Sequence, residues 1–337
     1  MSLEILGISV LWTFLFGYVI LASIDFGAGF FNAYSILTGK EKILSKVIQR
    51  YLSPVWSVTN VFFVFFYIGI VGFFPKTATY FGTILLIPGS IALVLMAIRG
   101  SYYAFESYRA GHKGYATMYG IAGLLIPPAL SVVLAIAQGG FVSIEDGTPK
   151  LDYFGLFTSP LSWSIVVLAI VAVLYISAVF LTWYADKAQD ADARDLMRKY
   201  ALIWAIPLIV AASGIIIELR YHNYMLFENL MNLWWMFAIS FVLWALTTWI
   251  IWKRRNYTAA LWLLVGQFAF AFFAYGIAHY PYLLYPHLTI HEGFTNQAMA
   301  ISLVVVFVLG LALLIPSIYL LLKLFLFDEE YIQGKKE

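Results

Sequence analysis

Apolar runs of about twenty residues, separated by short charged or aromatic stretches, recur nine times along this chain. A helix needs roughly that length to cross a bilayer. The pattern predicts spanning helices at 5–32, 53–74, 79–99, 117–139, 161–184, 200–218, 232–252, 257–280 and 299–326. The prolines within them (Pro88, Pro127, Pro128, Pro207 and Pro316) are expected to kink helices rather than end them, because neighbouring helices can satisfy the freed carbonyls. The first run lacks a basic leader and continues past Gly17 to full length, so it reads as a retained helix. The connections at 139–160 and 281–298 are the longest, and neither is large enough for a soluble domain.

Charge then orients the nine spans. Of the 20 Lys and Arg, 17 fall on one side of the alternating segments and only Lys76, Lys150 and Arg220 on the other. By the positive-inside rule the N-terminus lies outside and the C-terminus in the cytoplasm. Nine of the 11 tryptophans fall at predicted helix ends, as an interfacial belt requires, and Trp12 and Trp244 lie deeper. Composition agrees: 63% of the 337 residues are hydrophobic and 11% charged, against about 25% charged in soluble proteins. The net charge of +2 is scattered between apolar runs and offers nucleic acid no patch. The absence of cysteine excludes disulfides, iron–sulfur clusters and thiolate zinc sites. The chain is expected to be one polytopic, all-α membrane domain over 1–337.

Few polar residues interrupt the spans. Asp25 is the one carboxylate well inside a predicted span, in the cytoplasmic half of helix 1. Helix 2 begins on that side with Ser57, Thr59 and Asn60, and Arg99 ends helix 3 there. The sequence therefore gathers Asp25, Ser57, Asn60 and Arg99 as a polar cluster open to the cytoplasm. A charge at mid-membrane costs about 2.5–3.5 kcal/mol on insertion scales, so Asp25 needs a partner or a wet cavity. Two readings stand: a proton uptake site, or a structural role, either an Asp25–Arg99 ion pair or a carboxylate bonding backbone amides near a helix break. Gly27 and Gly29, directly behind Asp25, read as points of close helix approach. The histidines (His112, His222, His279, His287, His291) all fall in loops or at helix ends, which disfavours a deeply buried bis-histidine haem in this chain. The spacing His287-x-x-x-His291-Glu292 could ligate a metal on a helix, but it lies in an outer loop and reads as solvated. Gln267, midway along helix 8, is expected to make an interhelical hydrogen bond.

With these residues in hand the chain resembles subunit II of the bacterial cytochrome bd-type quinol oxidases. The resemblance rests on Asp25-Phe-Gly-Ala-Gly in helix 1, Pro54-x-Trp56-x-x-x-Asn60 in helix 2, and Arg99 followed by the aromatic-rich 102–108 stretch. Gly120 with Pro127–Pro128 in helix 4, Gly276-Ile-Ala-His-Tyr-Pro281, and the last helix with Pro316 complete it. The matches run in order from about residue 10 to 325. The resemblance implies two four-helix bundles plus one extra helix, related by a pseudo-twofold. It implies a bacterial cytoplasmic-membrane heterodimer in which subunit I carries haem b, haem d and the quinol site, with no cofactor expected on this chain. The complex would oxidise quinol and reduce O₂ to water with protons from the cytoplasm, this subunit giving stability and a proton route. Some relatives carry an acid directly after the helix 2 tryptophan, where this chain has Ser57. A serine relays a proton but does not store one at neutral pH, which shifts the weight onto Asp25. A small single-span subunit, and a quinone or lipid held between helices, are left open. The rival from another class is a cation-coupled secondary transporter with Asp25 as its coupling carboxylate. Such folds show paired broken helices in related repeats, and the Gly/Pro interruptions here do not pair.

Overall fold

A computed structural model of the chain describes residues 2–104, 113–321 and 323; the side chains of 45, 46, 49–58, 102–104, 318 and 321 lie outside the described set. The chain opens with two long helices, α1 (Leu3–Leu37) and α2 (Glu41–Phe73). A shorter pair follows, α3 (Lys76–Ile84) and α4 (Leu86–Ala104), then α5 (Lys113–Ala137). A hairpin of β1 (Val142–Glu145) and β2 (Thr148–Leu151) and the short α6 (Tyr153–Thr158) lead into α7 (Pro160–Lys187) and α8 (Ala191–His222). After α9 (Tyr224–Asn232) come α10 (Trp234–Trp252) and α11 (Tyr257–His279). A second hairpin, β3 (Tyr282–Leu284) and β4 (Leu288–Thr289), and α12 (Ile290–Gly293) precede α13 (Gln297–Leu321).

Among the described residues, seven helices (α1, α5, α7, α8, α10, α11 and α13) are long and apolar enough to cross a membrane. The α3–α4 pair makes an eighth if counted as one span, and α2 adds the shorter apolar stretch Thr59–Phe73. The third predicted span is thus not one kinked helix: its two halves meet at 80°. Pro88 supplies the reason. As the third residue of α4 it has no N–H to offer the Ile84 carbonyl, and its ring would clash there. A new helix starts instead, where the missing donor costs nothing. Pro127, Pro128, Pro207 and Pro316 do lie inside helices, as expected.

Packing is tightest around α7, every residue of which from Val173 to Ala185 is buried. It lies against α8, α5, α1 and α11, while α1 packs on α2 and α5, α4 on α5, α10 on α11, and α13 on α2. A helix apolar all round is either wholly inside protein or facing hydrocarbon. The apolar sequence of α7 meets the first condition, and that of α13, whose most apolar stretch is only 11% buried, is left for lipid or another membrane chain. The exposed tryptophans at 163, 234, 235, 249, 252 and 262 lie near helix ends. Trp12 instead stacks on Phe272 at 4.5 Å and donates to its carbonyl at 3.2 Å, stitching α1 to α11.

Candidate functional site: a buried carboxylate–guanidinium pair

Asp25 and Arg99 are the only charged side chains buried among the described residues, each 2% exposed. They meet: Arg99 Nη2 lies 2.8 Å from Asp25 Oδ2. The same nitrogen donates to the Asp25 main-chain carbonyl at 3.2 Å and to the Tyr119 hydroxyl at 2.7 Å. The guanidinium is held between two aromatic faces, 4.1 Å from the Tyr119 ring centroid and 4.9 Å from that of Phe26. A planar, weakly hydrated cation suits that slot, which a lysine would fill poorly.

The room for this cation is made by glycines. A Cβ on Gly123 would sit 2.5 Å from Arg99 Nη1, and one on Gly29 would sit 2.9 Å from it and 2.6 Å from Tyr119 Cε1. Gly27 does a different job. A Cβ there would meet the Ser177 side chain at 2.3 Å, so it lets α1 press against α7, where Ser177 Oγ donates to the Ile24 carbonyl at 3.1 Å. The Asp25-Phe-Gly-Ala-Gly segment is therefore a packing device on one side of α1 and a cation cradle on the other.

Of the predicted cluster, the structure joins Asp25 and Arg99. Asn60 is exposed on α2, while its neighbour Thr59 is buried. Ser57 lies on α2 with its side chain outside the described set, as do those of Pro54 and Trp56; Arg109, His112 and most of the 102–108 stretch lie outside the described residues altogether. With the pair so enclosed, it is not itself open to bulk solvent. Tyr119 and Phe26 were missed by sequence reasoning. The signal was there: Tyr119 begins its helix on the side where Arg99 ends, and a buried arginine calls for ring faces as well as an anion.

The other candidates resolve individually. His287 Nε2 lies 3.1 Å from the Val142 carbonyl and His222 Nε2 2.9 Å from that of Gly139. His291 Nδ1 lies 2.7 Å from Glu4 Oε2, and Glu292 caps α12 with Thr289. The His287, His291, Glu292 spacing therefore forms no common site, and no group of three metal-ligating side chains occurs among the described residues. His279 stacks on Tyr275. His222, His287 and His291 thus contact the protein's own acceptors, whereas the buried Nε2 of His279 has no hydrogen-bond partner among the described residues. At Gln267 the interhelical bond runs from Ser240 Oγ to the main-chain carbonyl at 2.8 Å; the side-chain Oε1 has no partner among the described residues.

Fold and site together define a multi-pass membrane subunit organised around one enclosed ion pair. Comparison with known proteins makes this specific. Residues 3–325 match the family of cytochrome bd terminal oxidase subunit II. A putative cytochrome bd menaquinol oxidase subunit II of Bacillus subtilis (strain 168) is 34% identical over 344 residues, spanning 98% of each chain. The structure of bd oxidase from Geobacillus thermodenitrificans contains a chain 59% identical to this one, with a TM-score of 0.85, covering 97% of this chain and 100% of that one. The chain belongs to the cytochrome bd terminal oxidase subunit II family. It is a multi-pass subunit of a quinol-oxidising respiratory complex in the cytoplasmic membrane, and these matches do not favour the transporter.

Proposed function

We propose that this chain crosses the membrane nine times, N-terminus outside and C-terminus cytoplasmic, as two four-helix bundles plus one helix. It flanks a subunit I that carries haem b and haem d, and opens a proton branch from the cytoplasm at Asp25 and Arg99. In this reading the 17-to-3 distribution of basic residues sets the orientation. The α3–α4 pair and α2 supply the two crossings beyond the seven that stand out by length and composition. Menaquinol is the proposed electron donor, by similarity to the Bacillus subtilis relative.

One observation carries the proton reading: the sole buried carboxylate among the described residues has one oxygen committed to Arg99 and the other, Oδ1, with no hydrogen-bond partner among them. A carboxylate that is purely structural would be expected to have both oxygens satisfied. Asp25 Oδ1 is where a proton can be received while Arg99 holds the group in place. Ser57 and Asn60 of α2 are proposed as further members of this branch.

The test is Asp25→Asn in the assembled oxidase, an isosteric change that keeps a hydrogen-bond acceptor for Arg99. We expect haem absorption and subunit recovery to persist while quinol-driven O₂ reduction and proton uptake fall about a hundredfold or more, in the range for loss of a positioned acid–base group. Wild-type turnover and charge movement in that variant would leave the pair a structural clasp. Co-purification of a second, histidine-bearing membrane chain with haem absorption tests the assembly.

A further inference from the structure

α10 ends at Trp252, and the next residue, Lys253, keeps helical backbone (φ −74°, ψ −3°) before Arg254 turns the chain with a φ of 55°. Val242, Leu246, Trp249 and Lys253 therefore recur at the four–three–four spacing of one helix face. That face is bare: Val242, Leu246, Trp249 and the neighbouring Trp252 are each at least 41% exposed. The Lys253 ammonium lies 4.7 Å from the centre of the Trp252 ring, so its charge sits at the head of an apolar stripe. Tryptophan at the end of a span marks the level of the lipid headgroups. Trp262, also exposed, lies near the same end of α11, which packs on α10.

The charges around this end do not cancel. Arg194 pairs with Asp186 at 3.3 Å and with Asp195 at 3.6 Å, and Arg254 pairs with Asp195 at 3.3 Å, so two cations and two anions form a neutral set. Asp190 and Asp192 stand at the start of α8, more than a helical turn before Arg198, and Asp190 caps that helix. Arg198, Lys253 and Arg255 have no acidic partner among the described residues. Arg198 is occupied by α10 itself, donating to the Ile251 and Trp252 carbonyls. A helix C-terminus ordinarily repels an anion; here a guanidinium covers it. Lys253 and Arg255, both exposed, are the surplus.

We propose that this end of α10 binds one anionic phospholipid of the surrounding membrane. Lys253 and Arg255 hold its phosphate, the Trp252 and Trp249 rings flank the glycerol region, and an acyl chain follows Leu246 and Val242 into the bilayer. Charge complementarity chooses the occupant. An apolar span of another protein would match the stripe but leave the two cations at its head without an anion. A zwitterionic lipid would bring a cation of its own to them. An anionic lipid satisfies both halves, with Arg255 offering a planar fork to two phosphate oxygens and Lys253 a point charge. The site is independent of the proton reading of Asp25.

The experiment titrates the purified oxidase with phosphatidylglycerol, phosphatidylcholine and glycerol phosphate, follows binding by native mass spectrometry, and uses haem content as the control for assembly. The wild type should retain one phosphatidylglycerol more tightly than any phosphatidylcholine. A basic residue at the membrane surface is worth about fivefold in affinity for an anionic lipid, so Lys253→Gln with Arg255→Gln should weaken that retention about twenty-five-fold. Lys42→Gln, which removes an exposed cation on α2, should leave it unchanged. Phosphatidylcholine held as tightly as phosphatidylglycerol, or a double variant that retains phosphatidylglycerol like the wild type, overturns the inference and leaves the stripe with annular lipid only. Glycerol phosphate binding as tightly as the lipid overturns it too, because the cations would then read a free phosphate. A protein chain recovered in the lipid's place does the same. If the double variant assembles poorly, the wild type still decides: rising salt should release the retained lipid, and retention indifferent to salt sinks the charge argument.

Discussion

Arg99 shows how a membrane protein accommodates a charge. Its guanidinium has a carboxylate, a phenol, a main-chain carbonyl and two ring faces, and two glycines where any side chain would collide with it. A buried pair of this kind is marginal as a unit, whereas removing one partner leaves an uncompensated charge and costs about 3–5 kcal/mol. Arg99→Met should therefore lower the thermal unfolding midpoint of the complex sharply, and adding Asp25→Asn to it should recover most of the loss. A double variant no more stable than Arg99→Met would show that the two charges do not depend on each other. Asp25 and Arg99 were legible in the sequence because depth in the bilayer follows from distance to a helix end. The ring faces and the glycine cradle were not, because which side of a helix meets which neighbour is set by tertiary packing. The same limit hid Asn60, whose depth was legible but whose exposed side was not.

Elements were legible to the extent that hydropathy defines them. Where described, the nine apolar runs fall mostly on helical backbone, interrupted at Leu85 and Leu233 and overrunning a helix end by one or two residues elsewhere, and the breaks between most of them follow the charged stretches. Pro88 was misread because a proline's effect depends on position: inside α5, α8 and α13 the ring is tolerated by neighbouring turns, whereas at the start of α4 it coincides with an 80° change of direction. The β1–β2 hairpin did have a signal, Asp146-Gly147, whose φ values of 50° and 75° are those of a tight primed turn. The end of α10 is held from a neighbouring helix. Arg198 of α8 donates Nε to the Ile251 carbonyl and Nη2 to the Trp252 carbonyl, both at 2.8 Å. One cation thus bonds two of the last carbonyls at the negative end of the helix, that of Trp252 and that of Ile251, which also accepts from the Arg254 N–H. Arg198→Met should destabilise the subunit by about 2–3 kcal/mol, and Arg198→Lys, a single point charge without the fork, should recover less than half of that in thermal unfolding of the purified complex.

At the scale of the molecule, the core lies around α7 and much of the rest is apolar surface, with large hydrophobic side chains exposed on α4, α8, α10 and α13. Such a surface faces lipid or another membrane chain. Expressed without its partner, the chain should accumulate in membranes with no stoichiometric haem absorption; a full haem spectrum from the lone chain would place cofactor ligation here. The final consequence comes from the contact between Glu4, in the first turn of α1, and His291, which lies 287 positions further along. During synthesis at roughly 5–20 residues per second, about 15–60 s pass after the first of these leaves the ribosome before the second exists. For that interval the opening helix waits in the bilayer with its clasp unfastened, so truncations upstream of His291 should leave it exposed to quality-control proteases.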